Sequence, residues 1–459
     1  MILKDLEKHK KYFTEYTELR VQENRNFHIS LVKGDVMANS KTAISGVSAR
    51  VYKDGAWGFA SHPAISEEEI GKVIVTATEN AKFLSSKENL GKANLPSRKA
   101  CSENDFTTKK QKLNQKQLID FLKEIDDHLI EQYHGLSSRS IIYSGLDMEK
   151  AMITSDGSFS YSMIPRAFIY VIMNMEKEGK PYELFNAYGG FGEFEDNFHN
   201  PDQLFPELEK QYQQLMDKAN GVYAKAGEHD VIMDADLAGI LAHEAIGHTT
   251  EADIVKGGSV AADYLGQKVA SELVTLVDFA NHALGKQCPV PVFVDDEGTK
   301  AEDAVIIENG VLKKYMNNKE TALYFDHELT GNARAYGFYD EPLVRMRNTA
   351  ILPGTSKLQE MIASIDDGYY LIKSSNGQAD STSEFMFGVT MGYEIKNGKL
   401  GKAIKDTTIS GVAFDLLKTV TMVSDDMKWD SSGMCGKKQS IPVGMGGPAI
   451  KCRVNLGGK

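Results

Sequence analysis

Two histidines set five residues apart, in His243-Glu244-Ala245-Ile246-Gly247-His248, restrict the backbone more than any other feature of this chain. On a regular α-helix, residues four apart sit within roughly 40° of each other, whereas residues five apart diverge by about 140°. If both imidazoles are to face one point, the helix has to change. A π-type turn, with i→i+5 hydrogen bonds, is one solution. A break at Gly247, the residue most able to leave helical dihedrals, is the other. Between Leu237 and Gly247 the residues Ala238, Gly239, Ala242, Ala245 and Gly247 are small. Such a helix is expected to pack closely against neighbours on several sides, with Asp236 as its N-cap.

At 459 residues the chain exceeds one ordinary core, so two to three domains are expected. The net charge of −12, with no lysine- or arginine-rich run to override it, argues against a polyanion-binding surface. No stretch approaches 18 apolar residues and no apolar segment opens the chain, so neither a membrane span nor a signal peptide is expected. Cys101, Cys288, Cys435 and Cys452 are too scattered for a disulfide framework, which favours a reducing, cytoplasmic location.

The residue patterns predict an α+β protein with mixed and antiparallel sheets, packed helices and three units. The first, residues 1–100, reads as a polar helix over 1–25 and then strands, with a tight hairpin at Asp54-Gly55. A helix capped by Ser66 follows, with acids in its first turn. Residues 84–114, rich in Lys, Ser and Asn, read as a boundary. The second unit, 115–225, has an amphipathic helix from Gln115 to Tyr133, alternating strands between 141 and 175, and a helix over 206–225. The third, 228–459, starts with a strand over 230–233, carries the motif helix, and is otherwise rich in strands and glycine.

Catalytic zinc takes nitrogen, sulfur or carboxylate ligands in a tetrahedron and keeps one position for water. His243 and His248 supply two ligands, and Glu244 projects elsewhere, as a base for that water would. The third ligand comes from afar. Cys435 leads the candidates because Gly433 and Gly436 let its backbone approach a site closely. Cys452 lies in an alternating run that reads as a core strand, and Cys288, before Pro289, reads as structural. His282 and His327 lack ligand spacing and read as surface or capping residues. Asp295-Asp296-Glu297-Gly298 follows an apolar strand and reads as a turn. Glu251 and Asp253 are either acceptors for a ligand imidazole N–H or the solvated end of the motif segment.

Several stretches together resemble the TldD/PmbA family of metallopeptidases, once labelled modulators of DNA gyrase. The match runs through His243 to His248 with Glu251 and Asp253, then Asp295 to Thr299, Ile307 to Lys313 and Gly331-Asn332. It continues through Arg345 to Thr349, Leu352-Pro353-Gly354, Cys435-Gly436-Lys437 and Pro442-Val443-Gly444. The N-terminal Gly55 to Ala60 also looks like the family's first domain. With its H-E-x-x-x-H motif the chain is similar to the catalytic TldD type, not to the PmbA type that lacks it. The resemblance implies Zn2+ held by His243, His248 and Cys435, with Glu244 as catalytic base. It also implies a homodimer, or a heterodimer with a PmbA-like subunit, whose active site faces an enclosed cavity admitting extended or unfolded peptide. Three departures stand out. Thr249-Thr250-Glu251-Ala252-Asp253 replaces Gly-Leu-Glu-Gly-Asp, Gly331 to Ala335 lacks one arginine of Gly-Asn-Gly-Arg-Arg, and the Cys435 loop is one residue shorter. Losing two flexible positions after His248 is expected to change how the segment leaves the site.

The expected function is therefore a zinc-dependent peptidase that receives peptide as an added strand. The alternative is a non-catalytic regulatory protein whose zinc is structural, which needs a fourth ligand such as Glu251 or Cys452. A modulator acting directly on DNA fits poorly with the negative charge.

Overall fold

The computed structural model describes residues 6–87 and 93–458. Residues 1–5 of the expected first helix and 88–92 of the expected boundary lie outside the described residues. From residue 6 to residue 25 the expected helix is replaced by other structure. Glu7–Tyr12 forms a short 3-10 helix, and the chain then enters a 17-residue strand, β1 (Tyr16–Val32). Its polar residues misled the helical reading because they are buried: Arg20, Gln22 and Asn24 are each under 5% exposed. Their side chains donate to the carbonyls of Tyr336, Gly337 and Asp340, more than 300 residues away. A polar strand whose burial depends on such distant carbonyls has no local signature.

β1 is central to a seven-stranded sheet. β2 (Asp35–Lys53) and β3 (Ala56–His62) follow it as antiparallel neighbours, joined by the Asp54-Gly55 turn with φ of 46° and 90°. Helix α1 (Glu67–Lys87) begins where the Ser66 hydroxyl accepts the Glu69 N–H. It lays Ile70, Val73, Ile74 and Ala77 on Leu19, Val21, Val47 and Val51. The boundary segment contributes a strand of its own, β4 (Cys101–Asp105). Asn114 and Gln117 form a capping box for α2 (Gln115–Gln132). The alternating runs between 141 and 175 merge into two 19-residue strands, β5 (Leu136–Thr154) and β6 (Phe159–Lys177), followed by β7 (Lys180–Phe191). Sheet order is β3-β2-β1-β5-β6-β4, with β7 also on β6. β5 pairs with β1 over 15 residues, so the first two sequence units share one sheet. A one-turn helix α3 (Phe194–Asn197) precedes α4 (Phe205–Ala219), which shares a core with α2 and the strands beneath.

The C-terminal part is built on two further sheets. β8 (Gly227–Met233) lies between strands 367–379 and 450–456. With 407–412 and 384–396 these close into a ring, because 384–396 pairs back onto 367–379. The second sheet runs in the order 311–312, 304–308, 276–279, 348–351, 444–447, 428–430. The helix after β8, α5 (Ala235–Ile240), rests on strand 444–447. Small residues permit that approach: a Cβ on Gly239 would stand 3.1 Å from the backbone of Met445 and Gly446. The α5 N-cap is Asp234, not Asp236, whose half-buried carboxylate instead accepts the Ser374 N–H at 2.9 Å. No helix among the described residues is long and apolar enough to cross a membrane.

Candidate metal centre

After Ile240 the backbone changes period. Leu241–Gly247 is a π-helix, continued by a 3-10 turn over His248–Thr250. Of the two solutions open to a five-residue spacing, the structure adopts the π turn: Gly247 keeps helical dihedrals at φ −57°, ψ −55°. The His248 N–H donates to the His243 carbonyl, an i→i+5 bond, and the two rings meet edge-on at 79°, with centroids 5.2 Å apart. Gly247 is required for another reason. A Cβ there would fall 2.0 Å from Met346 Sδ, so the π turn is pressed against a buried methionine.

The threonines that depart from the family pattern hold this turn. Thr249 Oγ1 donates to Ile246 O at 2.9 Å, and Thr250 Oγ1 donates to Ile246 O and Gly247 O at 2.8 and 3.0 Å. These are carbonyls that a regular helix would pair with backbone N–H groups. Where one of the two flexible positions is lost, at 249, and at the next residue, two hydroxyls brace the exit from the site.

Cys435 arrives on a short antiparallel pair, Met434–Cys435 with Ile441–Pro442. A Cβ on Gly433 would meet the tip of the Met445 side chain at 2.7 Å and Val443 at 3.3 Å, so that glycine sits in a close approach, while Gly436 faces open space and gives no such closeness. Cys435 Sγ stands 3.3 Å from His248 Nε2. One donor atom each from His243, His248 and Cys435 all lie within 4.8 Å of one another. Glu244, a quarter exposed, flanks the cluster, with its carboxylate oxygens 4.0 Å from His243 Nε2 and 3.7 Å from His248 Nε2.

The donor set suits zinc on three counts. Both ring nitrogens of His243 are buried without a hydrogen-bond partner among the described residues, a costly state unless a ligand takes one of them. Burial pushes the Cys435 thiol up, but the two imidazoles outweigh it and hold the group down to about 4, so the sulfur is a thiolate. Burial likewise pulls His248 down, and Glu251 with the Cys435 sulfur outweighs it, raising the imidazole well above its usual value. A cation can replace the proton they share.

Glu251 is completely buried, and its Oε2 sits 2.7 Å from His248 Nδ1. Burial raises its pKa, and the charges of His248 and Lys437 bring it down to about 2. Ionised, it accepts from Nδ1 and turns Nε2 towards the cluster. Of the two readings open for Glu251 and Asp253, orienting acceptor fits Glu251. Asp253 accepts instead from Lys437 Nζ, at 2.9 Å to both oxygens. Cys452 is a core strand residue with Sγ 3.7 Å from Met233 Sδ, and Cys288 is buried in a separate apolar cluster. His282 is exposed and His327 stacks on Phe325. Asp295 to Gly298 does form a turn, with Gly298 at φ 75°, but its acids also join the sheets: Glu297 pairs with Arg50 and Asp296 with Lys150.

Comparison with known sequences decides the family. Models of the PmbA/TldA metallopeptidase domain 1, central domain and C-terminal domain match residues 17–81, 109–226 and 226–458. The chain belongs to the PmbA/TldD metallopeptidase family. A metalloprotease of Methanocaldococcus jannaschii is 35% identical over 95% of this chain and 96% of its own length. A zinc metalloprotease TldD homolog of Saccharolobus solfataricus is 31% identical over 90% of both. Among solved structures, TldE from Thermococcus kodakarensis superposes with a TM-score of 0.72 at 20% identity, covering 99% of this chain and 98% of that one. At that identity the likeness concerns the fold.

Two residues of this PmbA/TldD chain do work that sequence reasoning did not assign. Arg345, fully buried, donates to the carbonyls of Cys435, Lys437 and Gln439 at 2.7 to 3.0 Å and so fixes the cysteine loop. Lys437 Nζ lies 3.1 Å from Glu251 Oε2 and bonds Asp253 and the Val344 carbonyl. Both sit in stretches that carried the resemblance, yet only the tertiary contacts reveal what an arginine or lysine there holds.

Proposed function

We propose that this chain is a zinc-dependent peptidase for extended or unfolded peptides, with His243, His248 and Cys435 as metal ligands and Glu244 as general base. The observation that carries the reading is the meeting of two imidazole nitrogens and a thiolate within 4.8 Å, with a partly exposed carboxylate at their side. Zinc in such a site supplies Lewis acidity and acidifies water. The residues supply the rest. Glu244 takes the proton of the attacking water and returns it to the leaving amine. Glu251 keeps the His248 tautomer fixed, Lys437 balances the charge of Glu251, and Arg345 holds the cysteine loop in reach.

The names of the relatives support metallopeptidase chemistry, and that of the Saccharolobus protein supports zinc. The same reading includes a working assembly of two subunits around an enclosed cavity, either two copies or this chain with a PmbA-like partner; the fold shared with TldE is compatible with it. Four free cysteines support a reducing, cytoplasmic setting. The test is Glu244→Gln. This variant is expected to retain one zinc per chain and to lose cleavage of an unfolded peptide by at least about 100-fold; undiminished cleavage would overturn the mechanism.

A further inference from the structure

A second candidate site, lined by none of the three metal-cluster residues, is a cavity between the large sheet and the C-terminal part. Alternate residues of three strands line it, including Met148, Lys150 and Met152 of β5 and Ile164 and Arg166 of β6. The segment Val290–Asp296 faces them, and Arg334, Ile441 and Pro442 close one side.

The charges do not balance. Arg166 is 5% exposed and Arg334 is 6% exposed, and neither makes an ion pair among the described residues. Arg334 gives its NH groups to the carbonyls of Met346 and Pro442. Arg166 donates to the Ser431 carbonyl and lies over the Phe168 ring, but its Nε, also buried, has no hydrogen-bond partner. The acids nearby are committed elsewhere. Asp296 takes Lys150 Nζ at 2.8 and 3.1 Å and the Ala335 N–H at 2.8 Å, with Arg20 3.8 Å away. Asp295 accepts the N–H groups of Glu297, Thr299 and Ala333. Asp430, whose charge reaches Arg166 without an ion-pair contact, uses one oxygen, Oδ1, for both the N–H and the hydroxyl of Ser432. A buried guanidinium with an idle N–H and no counter-ion is unfavourable unless an anion completes it. Methionine, isoleucine, valine, proline and phenylalanine make up much of the remaining wall and suit an apolar body, while Ser102, Asn104, Ser160 and Ser162 add neutral polar groups along β4 and β6.

From this arrangement we infer that the cavity binds a carboxylate carried on an apolar group, with Arg166 as its anchor and Arg334 supplying further positive charge. Two sources have this chemistry: the C-terminus of a peptide ending in an apolar residue, which rests on the peptidase reading, and a free carboxylic acid, which does not. Ile441 lines the cavity and pairs with Cys435, so an occupant touches the strand opposite the thiolate.

The experiment is calorimetric titration of the full chain, kept metal-free with chelator so that nothing is cleaved. The probes are 3-phenylpropionate, 3-phenylpropanamide, and acetyl-Ala-Ala-Phe as free acid and as amide. At least one acid is expected to bind, with its amide at least tenfold weaker. Binding of the tripeptide acid identifies the peptide terminus as the source; binding of 3-phenylpropionate alone identifies a free acid. Arg166→Met is expected to remove the preference for acid over amide while leaving the thermal midpoint unchanged or higher, since it deletes an uncompensated charge. Met152→Trp, which fills the cavity and alters no charge, is expected to abolish binding as well. Failure of both acids to bind wild-type protein, or acid binding undiminished in either variant, would overturn the proposal without touching the zinc reading.

Discussion

Replacing Gly247 by alanine tests whether the π turn is held by packing. The backbone at Gly247 is helical, so the added methyl meets no dihedral penalty, and alanine over glycine in a helix is worth about 1 kcal/mol in its favour. Against this, the new Cβ stands 2.0 Å from Met346 Sδ, where ordinary contact needs roughly 3.5 Å or more. Met346 is fully buried, so its sulfur has no free space into which to swing. Overpacking of this kind costs about 1–3 kcal/mol, which leaves Gly247→Ala destabilised by about 0–2 kcal/mol. Met346→Ala alone is expected to cost about 2–5 kcal/mol through its cavity. In the double variant the methyl occupies part of that cavity, so the two changes should couple favourably by about 1–3 kcal/mol. Urea unfolding of the four proteins yields the cycle. Additivity within about 0.5 kcal/mol would show that the turn does not rest on Met346, and the packing argument would fall.

Lys437→Met leaves the buried Glu251 carboxylate with His248 alone. It should cost about 3–5 kcal/mol in unfolding free energy, and pairing it with Glu251→Gln should recover most of that; no recovery in the pair would refute the charge-balance role. Burial pushes the Lys150 ammonium down to about 8 against an ordinary 10.5, despite the pull of Asp296. The unfolded chain therefore binds more protons between those values, and the Lys150 contribution to stability rises with pH across pH 8 to 10.5 by up to about 3 kcal/mol. Subtracting the pH profile of Lys150→Met from that of wild type isolates the slope; a flat difference in that window would contradict it.

Much of the site was legible because its constraint is local. A five-residue histidine spacing demands a departure from the α-helix, and the run of small residues announces close packing; both follow from geometry within a dozen positions. The Asp54-Gly55 hairpin and the helix capped by Ser66 were legible for the same reason. What escaped has distant causes. Residues 16–25 look helical because Arg20, Gln22 and Asn24 are polar, yet they are buried by carbonyls more than 300 residues on. β4 lies in a segment that reads as a linker and is a strand only because β6 offers it an edge. Arg345 and Lys437 were visible as letters, but their work depends on which carbonyls and carboxylates the fold brings to them.

His248 and Cys435 are 187 positions apart, and this separation orders events in time. A ribosome adding about 5–20 residues per second takes roughly 10–40 s to travel from the second imidazole to the thiol. Throughout that interval the nascent chain exposes two histidines and a glutamate but cannot close the three-donor cluster. The strand at 450–456, which pairs with β8 just ahead of the motif helix, emerges later still. The complete set of donors is thus withheld until residue 435 has been made, and under the proposed chemistry a chain cut short before it is expected to be inactive.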